Sequence, residues 1–255
     1  MVALITGASS GLGRDMAEEL AKRNYDIIAV ARNVEKLEKI KKQIEEKYKV
    51  NVDVKRCDVS DKEAVAKLHK QVYEKYGTID VLINNAGFGD CGYFTETDTS
   101  WDSSMVETNV LGMHLLFKLF LKDMKERDKG YILNVASIAA FMPGPLMATY
   151  YATKAYVLRL TQAIQYELKM QDSNVKVSVL CPGPVDTGFN SVANVKFSMK
   201  GDDSKKVAAK AIKGMFAGKE VIFSSFKIKM ASIGSKLLSY KIARKICFNV
   251  QKRKK

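Results

Sequence analysis

The chain has 255 residues, 47% of them hydrophobic and 27% charged, enough for one large domain with a substantial buried core. No apolar run approaches the roughly 18–20 residues that a membrane-spanning helix needs, and Met1 leads straight into Val-Ala-Leu-Ile without a basic leader, so a cytoplasmic protein with no secretory signal is expected. Of the net charge of +14, residues 219–255 carry +10 (eleven Lys/Arg and one Glu), leaving +4 on the preceding 218 residues, so the excess belongs to the tail and no nucleic-acid partner is expected.

Short apolar, β-branched runs alternate with longer amphipathic ones. In chain order the pattern predicts a strand at 2–6, a helix at 11–23, a strand at 26–30 and a charged helix at 33–48. A strand at 50–56, a helix at 61–76 and a strand at 80–83 follow. A long helix over 101–126, a strand at 131–135, a second long helix over 149–170 and a strand at 175–180 complete the pattern. The strands lack in/out alternation, as expected when helices cover both faces. Strand and helix repeating at this spacing specify a doubly wound parallel α/β sheet, Rossmann-like, in a single domain. Pro143 and Pro145, and Pro182 and Pro184, fall in loops just beyond strand carboxyl ends, the edge at which open α/β sheets bind ligands.

Cys57, Cys91, Cys181 and Cys247 are widely spaced with no CxxC pair, so reduced packing thiols are expected. With only His69 and His114, no imidazole metal site is expected, and His69 reads as a surface residue of a charged helix.

The first strand runs into Thr6-Gly7-Ala8-Ser9-Ser10-Gly11-Leu12-Gly13 and then a helix. Glycines at these positions let the backbone turn tightly against a pyrophosphate, whose charge the free N–H groups of the helix stabilise. Three glycines are a weak signal alone; their place between the first strand and the first helix strengthens it. A nucleotide-triphosphate P-loop is excluded because no Gly-Lys-Ser/Thr occurs. The second strand ends Val30-Ala31-Arg32-Asn33, without the carboxylate that would hold a free ribose 2′-hydroxyl. Arg32 offers a planar cationic fork for a 2′-phosphate, with Ser10 and Arg14 nearby, which points to NADP(H) rather than NAD(H).

With that loop, Cys57-Asp58-Val59, Asn84-Asn85-Ala86-Gly87, Ser137 with Tyr150-Tyr151-Ala152-Thr153-Lys154, and Pro182-Gly183-Pro184-Val185-Asp186-Thr187, the chain resembles the short-chain dehydrogenase/reductase family over about residues 1–225. The resemblance implies that Gly7, Ser9, Ser10, Gly11, Leu12 and Gly13 hold the phosphates, that Asp58 and Val59 lie by the adenine, and that Asn85, Ala86 and Gly87 line the ribose. Pro182, Val185 and Thr187 would hold the carboxamide end of the nicotinamide, and Lys154 its ribose hydroxyls. It also implies a catalytic set of Ser137, Tyr150, Lys154 and Asn109, the last supporting a water that links the lysine to solvent, and a homodimer or homotetramer.

The chemistry can be argued from the residues too. Tyr150 and Lys154, four apart on one helix, share a face. A neighbouring ammonium is expected to lower a phenol whose ordinary pKa is about 10, making Tyr150 the acid/base for a carbonyl or alcohol while Ser137 hydrogen-bonds the reacting oxygen. Tyr151 lies three residues from Lys154; the family spacing selects Tyr150 and leaves Tyr151 for packing or substrate contact. Ser137 lacks the Gly-x-Ser-x-Gly setting of a hydrolase nucleophile. A non-catalytic dinucleotide-binding regulator is the alternative, and the presence of Ser137, Tyr150 and Lys154 together argues against it.

The loop 188–203, with Phe189, Val192, Val195, Phe197 and Met199, is the expected substrate region, joined by Phe88, Tyr93, Phe94, Phe141, Met142, Leu146 and Met147. That apolar set suggests a 3-oxoacyl, steroid-like or other ketone or aldehyde substrate. Residues 226–255 form a basic amphipathic extension beyond the catalytic domain of 1–225, suited to an anionic membrane surface or to packing on protein.

Overall fold

The computed structural model describes residues 1–187 and 201–252. Seven strands, β1 (Val2–Thr6), β2 (Asp26–Ala31), β3 (Val52–Arg56), β4 (Val81–Asn84), β5 (Tyr131–Val135), β6 (Lys176–Cys181) and β7 (Val221–Phe223), form one sheet. Its order is β3-β2-β1-β4-β5-β6-β7, and every pairing is parallel. The helices are α1 (Gly11–Ala21), α2 (Val34–Tyr48), α3 (Lys62–Tyr76), α4 (Thr99–Val106), α5 (Met113–Glu126), α6 (Ala148–Met170), α7 (Ser204–Phe216), α8 (Phe226–Leu237) and α9 (Tyr240–Lys252).

The apolar strands bury both faces, as the sequence pattern requires. In β1, Ala3 and Ile5 point into a core with Met16 and Leu20 of α1, Leu37 of α2 and Ile212 of α7, while Leu4 points into another with Phe117 and Phe120 of α5 and Leu158 of α6. The chain leaves β1 toward β2 and β3, then returns to place β4 on the other side of β1. That reversal leaves a crevice at the strand carboxyl ends.

Two departures from the sequence pattern matter. The helix expected over 101–126 is interrupted by a π-helical turn, Glu107–Gly112, between α4 and α5. There Gly112 lies so close to Val59 that a Cβ would sit 2.1 Å from its carbonyl oxygen. Second, α7 and β7 were not anticipated. β7 has only three residues and no periodicity to show. The buried face of α7 (Val207, Ala208, Ala211, Ile212 and Met215) does follow helical spacing and was legible in principle.

His69 is only partly at the surface: its side chain is 20% exposed, Nε2 lies 2.7 Å from Asp123 Oδ2, and its ring meets Phe120 edge-on. No helix among the described residues is long and apolar enough to cross a membrane, and no metal-ligating cluster occurs among them.

Candidate active site

The crevice is a cavity of about 580 Å³, running from the glycine turn after β1 to the start of α6. Gly7 and Gly11 adopt φ of +65° and +52°, the left-handed region that only glycine enters freely. Gly13 is needed for another reason: a Cβ there would meet the Gly7 carbonyl oxygen at 2.2 Å, so α1 can start directly beneath the turn only with glycine. Thr6 Oγ1 accepts from Asn85 N at 3.0 Å and Ala86 N at 3.1 Å, and Asn85 Nδ2 donates to Thr6 O at 3.0 Å, knitting the loops after β1 and β4 together.

Side chains of Asn33, Asp61, Asp98, Asp203 and Ser225 cap α2, α3, α4, α7 and α8. At α1, Ser10 makes no such bond, and the first turn holds no acidic residue. The first N–H groups and the positive end of α1 are therefore left for an anion at the cavity floor. Together with the glycine cradle, this fits a dinucleotide pyrophosphate.

At the far wall Arg32 is exposed, and its guanidinium stands 3.7 Å from the Asp58 carboxylate. Burial works against ionising Asp58, but hydrogen bonds from Ser60 and the charge of Arg32 outweigh it and hold the carboxyl below its ordinary range. Lys36, in the first turn of α2, lines the same wall, a second cation that sequence reasoning missed. Arg14, expected to assist, is instead paired with Asp15 at 2.8 Å.

The reactive end is assembled by β5, the 3₁₀ turn Ile138–Phe141 and α6. Ser137 precedes the turn, accepts from Ala139 N at 3.1 Å and shares a hydrogen bond with the Tyr150 phenol. Lys154, one turn along α6, is 5% exposed; its Nζ lies 5.9 Å from the centre of the Tyr150 ring and donates to Val135 O at 2.9 Å. The pair shares a face, as the spacing requires. The expected acidification of the phenol is not seen, because burial dominates both groups: it pushes Tyr150 up to about 12, only partly opposed by the Ser137 bond, and pulls Lys154 down to about 8.

Of the residues singled out from sequence, Gly7, Ser9, Ser10, Gly11, Leu12, Arg32, Asp58, Val59, Asn85, Ala86, Gly87, Ser137, Tyr150, Lys154, Pro182, Val185 and Thr187 all line this cavity. Gly13 lies beneath the turn, against Gly7. Asn109 sits in the π turn behind Gly87: Nδ2 donates to Phe88 O at 2.8 Å and Thr153 Oγ1 at 3.1 Å, and Oδ1 accepts from Phe88 N at 3.0 Å. Thr108, not Asn109, reaches the wall. Phe88 and Met147 line it, and so does Gln251, which no sequence signal linked to the site. Of the expected substrate loop 188–203, residues 188–200 lie outside the described residues, as do 253–255 of the tail.

The profile of the short chain dehydrogenase family matches residues 1–196. The farnesol dehydrogenase of Aedes aegypti is 34% identical over 190 residues, covering 73% of this chain and 78% of its own. Among solved structures, a short-chain dehydrogenase from Sphingobium yanoikuyae in complex with NADPH superposes with a TM-score of 0.83 at 25% identity, covering 92% of this chain and 93% of its own. One from Burkholderia phymatum in complex with NAD gives 0.83 at 25% identity, covering 91% of each chain. The chain belongs to the short-chain dehydrogenase/reductase family and is an oxidoreductase of that family.

Proposed function

We propose that the protein is an NADPH-dependent reductase of an apolar ketone or aldehyde. The observation that carries this reading is the half-buried Tyr150 phenol, bonded to Ser137 and backed by Lys154, in the cavity that opens from the uncapped start of α1. A nicotinamide held there would supply the hydride for the carbonyl carbon. With its pKa held near 12, Tyr150 keeps its proton at neutral pH and is ready to give it to the carbonyl oxygen. Ser137 orients that oxygen and stabilises its developing charge. Lys154, fixed by Val135 O with its Nζ 5.9 Å from the centre of the Tyr150 ring, would stabilise the phenolate that results and would hold the ribose hydroxyls. Asn109 acts as a positioning residue: its amide clamps Phe88 to Thr153 and so holds the loop of Gly87 beside Lys154.

The two structural neighbours carry NADPH and NAD respectively, so cofactor preference has to be read from the rim. Arg32 and Lys36 together favour a 2′-phosphate. Phe88, Ile138, Met147, Pro182, Pro184 and Val185 make the reactive end apolar, and the farnesol dehydrogenase relative fits an apolar substrate. The test is a panel of ketones and aldehydes with NADPH and NADH, followed by loss of nicotinamide absorbance. Tyr150→Phe is expected to abolish turnover while leaving NADPH binding nearly intact; unchanged turnover in that variant refutes the reading.

The last two helices support peripheral membrane contact. Phe226, Met230 and Ile233 of α8 and Ile242, Ile246 and Val250 of α9 are exposed. On α9 they form an i, i+4 stripe flanked by Lys241, Arg244 and Lys245, a pattern suited to an anionic lipid surface. Sedimentation with vesicles with and without phosphatidylserine tests this, and binding unaffected by Ile246→Glu would refute it. A homodimer or homotetramer is the expected assembly, with Val106 and Tyr156 as exposed apolar contacts on α4 and α6.

A further inference from the structure

The helix α9 presents a second stripe, Ala243, Cys247 and Gln251, that is buried against the body, at 5%, 4% and 1% exposure. Its last member reaches the reactive end of the cavity, where Gln251 Nε2 donates to the hydroxyl of Tyr151. The other amide atom, Oε1, is buried and has no partner among the described residues. A buried acceptor of this kind is rare in a folded protein unless something else fills it.

Tyr151 is itself held in place for this contact. Gly144, between Pro143 and Pro145, lies under its ring so closely that a Cβ would stand 2.3 Å from it. Met147 packs against both tyrosines, and the Tyr150 and Tyr151 rings meet edge-on with centroids 6.2 Å apart. The Gln251–Tyr151 pair is thus a fixed polar spot beside the acid/base, next to the apolar side chain of Met147.

We infer that Gln251 and Tyr151 form a second polar subsite that binds a hydroxyl carried by the substrate away from its reacting carbonyl. A hydroxyl both donates and accepts, so it pairs with whichever end of the amide faces the cavity. A ketone lacking it leaves the amide oxygen unpaired, and that loss sets a discrimination of roughly ten- to a hundredfold. The inference rests on the reductase reading and narrows its substrate to a hydroxylated apolar carbonyl compound. It also gives the C-terminal helix a direct part in specificity.

The test uses the full chain with NADPH and a ladder of straight-chain methyl ketones, each with and without a terminal hydroxyl. At one chain length the hydroxylated member should be preferred by roughly tenfold or more in kcat/KM, mostly through KM. Gln251→Leu, which keeps the volume and removes both polar ends, should collapse that preference. Tyr151→Phe, which keeps the ring over Gly144, should weaken it and guards against a misfolded Leu variant. No preference at any length, or equal losses for both ketones in both variants, overturns the inference. Absence of NADPH or NADH oxidation with every carbonyl compound overturns the reductase reading instead.

Discussion

Lys154 gives the sharpest energetic prediction. Burial holds its pKa at about 8 against an ordinary 10.5, which places a penalty of about 3 kcal/mol on the charged form in the folded protein. Lys154→Met keeps the stem and removes the charge. It loses the bond to Val135 O, worth about 1.5–3 kcal/mol with a charged donor. The net gain is about 0–1.5 kcal/mol, or a Tm rise of up to about 6 °C for a chain of this size. The sign fixes a pH window. Below about 8 the lysine is charged in both states and the penalty is complete. Between about 8 and 10.5 the unfolded chain holds more of the proton, so wild-type stability recovers as pH rises, and above 10.5 the penalty is gone. Thermal melts of the two proteins without cofactor should therefore differ most near neutrality and converge toward pH 10, while the variant has lost turnover. A variant that melts below wild type at pH 7, or a gap that ignores pH, refutes the argument.

Two further substitutions probe the cofactor end. Gly13→Ala puts a Cβ 2.2 Å from Gly7 O, an overlap costing about 1–3 kcal/mol; NADPH affinity by fluorescence titration should fall by roughly five- to a hundredfold, and unchanged affinity would show that the turn yields freely. Arg32→Ala removes an exposed cation from the rim, so kcat/KM with NADPH should fall by about tenfold while that with NADH stays nearly constant. Equal losses with both cofactors would show that Arg32 does not read a 2′-phosphate.

The positions of β1, β2, β4 to β6, α2 and α3 were legible because each carries a complete local signal: an apolar run buried on both faces, or a charged helix with one apolar stripe. The glycine turn was legible too, since Gly7 and Gly11 need positive φ and Gly13 needs the missing Cβ, requirements written in residue type. The π turn was not: it ends where Gly112 meets Val59 of the loop after β3, a contact that no local pattern shows.

What the sequence by itself determined was the alternation of strands and helices through β6, and through the i, i+4 spacing that Tyr150 and Lys154 share one face of α6. Only the tertiary structure decided the direction of the two shifts, because burial is a sum over neighbours: it pushed the phenol up and the ammonium down where spacing alone predicted a more acidic phenol. It also decided that Gln251, a hundred residues along the chain from Tyr151, closes on the same cavity. No local pattern encodes such a contact, since it depends on where α9 docks rather than on the residues around it.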